Sequence, residues 1–132
     1  MRKFLPAVIL LLAVYNPTDA DRARWTMSDM MSWRTAVEAY AVDNHVYPDV
    51  KTLEALRDAV QPRYIIHAPM ADAWGNPYRY ERTEKGFRLV SAGADGKFDS
   101  TTWATGAKQL PLDADAVVTN EGRWMFRAWE FK

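Results

Sequence analysis

The chain has 132 residues, which suits one domain and is short for two. Apolar residues make up 48% of it, with six Trp, six Tyr and five Phe, so a packed core can form and global disorder is excluded. The 17 Lys and Arg balance 17 Asp and Glu with no basic stripe, which argues against a nucleic-acid partner, and the lack of cysteine excludes disulfides, thiolate metal sites and a Cys nucleophile.

The N-terminal stretch differs in kind from the rest. Arg2 and Lys3 give a positive start, residues 4–14 are apolar apart from Pro6, and residues 15–20 are polar and turn-prone. This is the layout of an export signal, with Thr18 and Ala20 at the two positions the peptidase reads, so cleavage is expected after Ala20. A spanning helix needs roughly 20 apolar residues, so retention as an anchor is the lesser reading and no stable membrane span is expected after cleavage. The expected division is a signal peptide over 1–20 and a globular domain over 21–132, placed in the periplasm or outside the cell.

Residues 26–43 read as a helix. Met27, Met30, Met31, Val37, Tyr40 and Ala41 recur at helical spacing and form one apolar stripe, read as core rather than as a cofactor box. Thr26 or Ser28 caps its start, Asn44 closes it, and Tyr47-Pro48 prevents continuation. Residues 51–60 form a second, short helix with Leu53, Leu56 and Val60 on one face, Thr52 as its cap and Gln61-Pro62 as its stop. From Trp74 the pattern changes to strands. Residues 78–82 alternate around Tyr78 and Tyr80, Glu84-Lys85-Gly86 is a turn, and residues 87–91 return, which makes an antiparallel hairpin. Residues 93–116 hold three Gly, five Asp or Ser and little periodicity, a long loop of the sort that is functional or tied down. A second hairpin follows: residues 117–119, the turn Asn120-Glu121-Gly122, and residues 124–131. The late aromatic residues, Trp103, Trp124 and Trp129 with Phe126 and Phe131, are expected to be covered by the helix on one sheet face and the long loop on the other.

No catalytic constellation emerges. His45 and His67 lie in no zinc-binding spacing, no serine sits in a nucleophile elbow, and Glu81 with Glu84 flanks a turn as a wet edge would. The most distinctive words are Asp72-Ala73-Trp74-Gly75-Asn76-Pro77-Tyr78-Arg79-Tyr80 and Ser91-Ala92-Gly93-Ala94-Asp95-Gly96. In the first, Gly75 supplies a positive φ, Pro77 forces an extended entry to the strand, and Asp72 can accept backbone N–H groups of the turn.

These strings, with Asp43-Asn44-His45-Val46-Tyr47-Pro48 before them and residues 116–124 after, resemble the C-terminal domain of the major pseudopilin family of the type II secretion system, protein G. The resemblance covers about 27–130. It implies a pilin-like α+β fold, a long N-terminal helix packed on a small antiparallel β-sheet with a long Asp/Gly loop. It implies a calcium site in that loop, with Asp95 at the family's Asp, the carbonyl of Ala92 at its backbone-ligand position, and Asp99, Asp113 and Asp115 as further carboxylates. Read on its own chemistry, the same loop is equally a solvated acidic loop whose Asp residues serve turns. Lys97 and Phe98 stand where the family has a Gly-rich stretch, and an ordinary signal stands in place of the family's leader and spanning helix. The expected role is therefore non-enzymatic assembly or binding in the cell envelope, with protein partners of the secretion or pilus machinery and homo-oligomerisation left open. The alternative is a stand-alone calcium-stabilised periplasmic ligand-binding module unrelated to secretion.

Overall fold

The computed structural model describes residues 16–98, 109–110 and 115–126. Helix α1 is Asp19–Asn44, about 39 Å of helix at ~1.5 Å per residue. It starts well before Thr26. Thr18 is its N-cap, in a reciprocal capping box: the Thr18 side chain accepts from the Asp21 N–H at 3.1 Å and Asp21 Oδ2 accepts from the Thr18 N–H at 3.1 Å. The bond after Ala20 thus lies inside the first turn. Thr26 is buried in mid-helix instead of capping it. At the other end the cap is His45, in the left-handed region with φ 63°, while the Asn44 side chain donates back to the Tyr40 carbonyl. Helix α2, Leu53–Val60, has Thr52 as its N-cap, as expected, and buries Leu53, Leu56 and Val60.

The strands are β1 (Arg79–Arg82), β2 (Phe87–Ser91), β3 (Gln109–Leu110), β4 (Ala116–Thr119) and β5 (Arg123–Phe126), in the sheet order β1-β2-β4-β5-β3. The expected hairpin is β1–β2, with Tyr80 opposite Leu89. Strand β4 pairs antiparallel with both β2 and β5. Strand β3 lies within the stretch read as an unbroken loop and pairs parallel with β5. Two residues are too few to carry a period-2 pattern, which is why sequence alone passes over it. The expected final strand runs on to Phe131; its part after Phe126 lies outside the described residues.

The α+β arrangement expected from the resemblance is the one observed, a long first helix laid on a small sheet. Met27, Met30, Trp33 and Val37 of α1 meet Tyr80, Phe87, Leu89 and Val118 on the inner sheet face, with Leu56 and Val60 of α2 closing one end. Trp33, which the stripe of methionines does not name, is fully buried. On the second sheet face the cross-strand pair Val90–Val117 is buried, 1% exposed at each residue, while Arg79 and Glu81 of β1 on the same face are exposed. Phe98, just after β2, lies under the Arg79 guanidinium with 4.0 Å from Arg Cζ to the ring centre, so the chain does turn back over this face. Trp103, Trp129 and Phe131 are outside the described residues. Among the described residues no helix is long and apolar enough to cross a membrane.

Candidate functional site

The two distinctive strings come together around one carboxylate. Asp72 is 5% exposed. Its Oδ1 accepts the backbone N–H groups of Trp74 and Asn76, both at 3.0 Å, which closes the turn that Gly75 (φ 86°) makes possible. Its Oδ2 accepts the Ser91 hydroxyl at 2.8 Å from the end of β2. Ser91 Oγ in turn accepts the Gly93 N–H at 3.2 Å, and Asn76 Nδ2 donates to the Gly93 carbonyl at 3.4 Å. The next turn closes from Gly96 N–H to the Gly93 carbonyl at 3.2 Å, with Gly93 and Gly96 both at positive φ. A side chain at Gly96 would crowd Asn76. The motif thus knits the entry to β1 onto the exit from β2.

The same segment is fastened along α1 at three residues spaced by seven, which is two turns of helix and one face. Asp19 Oδ1 accepts Trp74 Nε1–H at 2.9 Å, Thr26 Oγ1 accepts the Ala73 N–H at 3.0 Å, and Trp33 Nε1–H donates to the Pro69 carbonyl at 2.6 Å. Further along, Arg34 Nε and Nη2 donate to the carbonyls of Thr119 and Asn120, at 2.9 and 3.4 Å, and hold the β4–β5 turn to the helix. The Asn120 side chain bridges onward, accepting the Phe87 N–H at 3.2 Å and donating to the Lys85 carbonyl at 3.3 Å, across a Gly86 that leaves no room for a Cβ.

Under the turn lies a buried polar pocket. Burial first, then the negative charges of Asp29 and Asp72, hold the Tyr78 hydroxyl well above the usual phenol range. Burial likewise raises the Asp29 carboxyl, opposed in part by the neighbouring Tyr78 hydroxyl. Burial also dominates at Tyr80, whose hydroxyl is pushed up while it donates to the Pro48 carbonyl at 2.7 Å. Tyr78 and Tyr80 are buried in the core and Asp29 is half-buried beside Tyr78, which is the chemistry of structure.

The residues expected at a metal separate into three kinds. Ala92 and Asp115 are both fully buried, and extending the Ser91–Ala116 pairing by one residue sets them opposite one another at the end of the β2–β4 ladder. Asp95 is exposed, and its Oδ1 accepts the Lys97 N–H at 2.9 Å, closing its own turn. Asp99 and Asp113 lie outside the described residues. Among the described residues no three His, Cys, Asp or Glu side chains group as a metal cage. His45 and His67 are exposed, and Glu81 makes an exposed pair with Arg88 at 3.4 Å.

Sequence reasoning did not find the helix-side partners Asp19, Thr26, Trp33 and Arg34. Their bonding partners are 36 to 86 positions away, and a contact across such a separation leaves no local pattern.

Comparison with known proteins bears on the same region. Residues 13–106 match the family described as type II secretion system (T2SS), protein G. The match runs from before α1, through the Asp72 turn, to beyond β2. The chain is also 33% identical, over 111 residues, to the type II secretion system core protein G of Escherichia coli (strain K12), covering 71% of this chain and 75% of that relative. With most of its length matched and the signature strings forming one bonded unit, the chain belongs to the type II secretion system protein G family.

Proposed function

We propose that this protein is a pseudopilin of type II secretion whose head stands on the periplasmic side of the envelope and acts through contacts with other proteins of the machine, without catalysis. The observation that carries the reading is the overlap of the family match, residues 13–106, with the helix, turn and hairpin fastened by Asp72. A turn whose buried carboxylate has both oxygens engaged in internal bonds supports a rigid assembly part more than a reacting site. No observation favours a module unrelated to secretion. Deleting the gene in a host that uses type II secretion should leave the exported substrates inside the envelope, and restoring the full chain should release them. Normal secretion by the deletion strain would overturn the proposal.

The calcium expectation becomes part of the same reading. The buried Asp115 beside Ala92 supplies a charged oxygen and a carbonyl in a protected place, and Asp95 brings a second carboxylate on the neighbouring turn. A calcium ion there would screen these carboxylates and tie the loop after β2 to β4. Chelation of metal-loaded protein should lower the Tm by roughly 10 °C from its value at calcium a hundredfold above Kd. Asp95→Ala should abolish that response. An identical melting curve for metal-stripped and calcium-loaded protein would reject the site.

A further inference from the structure

The peptidase-like pair Thr18 and Ala20 lies inside the folded unit. Thr18 carries the N-cap: its hydroxyl and N–H both engage Asp21, and its carbonyl accepts the Arg22 N–H at 3.0 Å. Asp19 is the first of the three anchors for the Asp72 segment, through Trp74 Nε1 at 2.9 Å. Ala20 packs against the core. A cut after Ala20 would remove all of this together. It would also place a new α-ammonium on Asp21 at the positive end of the helix dipole, where cations are disfavoured.

We infer that the exported chain keeps Thr18, Asp19 and Ala20 as part of its head, and that any processing falls N-terminal to Thr18 rather than at the Ala20–Asp21 bond. The residues that look like a cleavage signal are a helix start. Thr-x-x-Asp is a capping box, and a small residue two places after Thr18 is what lets the first turn lie against the core. Pro17 immediately before the cap has no N–H to contribute and Thr18 itself is extended, so helix α1 is entered at Thr18. The inference concerns the borders of the folded head and stands whether or not the protein acts in secretion.

The test is expression of the full chain with its own N-terminus in a Gram-negative host, followed by intact mass and N-terminal sequencing of the folded product. A first residue at or before Thr18, including an unprocessed chain, is expected. A product beginning at Asp19, Ala20 or Asp21 would overturn the inference. In parallel, Thr18→Ala should lower the Tm by roughly 4–8 °C, the usual effect of losing an N-cap. A Tm equal to that of the parent would show that the cap does not belong to the stable head and would overturn it as well.

Discussion

Replacing Asp72 with alanine removes the acceptor for two backbone amides and one hydroxyl at a position 5% exposed. Each buried donor left unsatisfied costs about 1–3 kcal/mol, and members of one network do not add fully, so the loss for Asp72→Ala comes to about 3–5 kcal/mol. Unfolding entropy scales with length at about 2.1 cal/mol/K per residue, so a chain of this size loses roughly 4 °C of Tm per kcal/mol, or roughly 12–20 °C in total. Asp72→Asn is the informative companion. Its Oδ1 still accepts from Trp74 and Asn76, but its amide cannot accept the Ser91 hydroxyl, so it forfeits that bond and the charge assistance, about 2–3 kcal/mol. Thermal and urea unfolding of both variants measures the difference. An alanine variant within about 0.5 kcal/mol of the parent would refute the central place given to Asp72, since that is the scatter of an ordinary surface change. An asparagine variant as damaged as the alanine would show that the charge and the Ser91 bond, not the acceptor for Trp74 and Asn76, hold the turn.

Gly86→Ala should cost about 1–3 kcal/mol in urea unfolding, because the new Cβ overlaps an Asn120 side chain fixed by bonds to Phe87 and Lys85. Adding Asn120→Ala to it should cost less than the sum of the two single changes, since the overlap is then gone. Trp33→Phe keeps most of the buried ring but orphans the Pro69 carbonyl, and should lower stability by about 1–3 kcal/mol. Asp29→Asn should raise the Tm at neutral pH. Burial raises this carboxyl in the folded state, so the fold holds its proton more tightly than the unfolded chain does, and stability falls as pH rises from the ordinary carboxylate range through the folded pKa. The gain from Asp29→Asn should therefore vanish at pH values below that range; a gain that persists there, or a loss at neutral pH, would refute the cause assigned.

What could be read from the sequence was local. Thr52 before Leu53, the Glu84-Lys85-Gly86 turn between alternating strands, and Asp72 closing its own turn are features whose partners lie within a few residues, and each forms as expected. The start of α1 was misplaced for a different reason. Thr18-Asp19-Ala20-Asp21 fits a peptidase site and a capping box alike, and the helix start that the structure shows there is supported by contacts no local pattern reveals, the packing of Ala20 and the bond from Trp74 to Asp19. The candidate metal residues show the same limit. Asp113 and Asp115 are equivalent as letters, yet it is the β2–β4 register that sets Asp115 opposite Ala92.

The signature that marks the family is, physically, a clamp. The helix-to-strand connection over 61–78, carrying Pro62, Pro69 and Pro77, cannot use a continuous ladder to hold itself, because each proline lacks a donor. Its remaining amides must find acceptors elsewhere, and the solution is a buried carboxylate on one side and a helix face on the other. Once Asp72, Asn76 and Ser91 are bonded inward, they are not available to a partner protein. Kinship read from these residues therefore speaks for the shape of the head. Which proteins the head touches is decided by the exposed residues around the clamp, and those can be changed without loosening it.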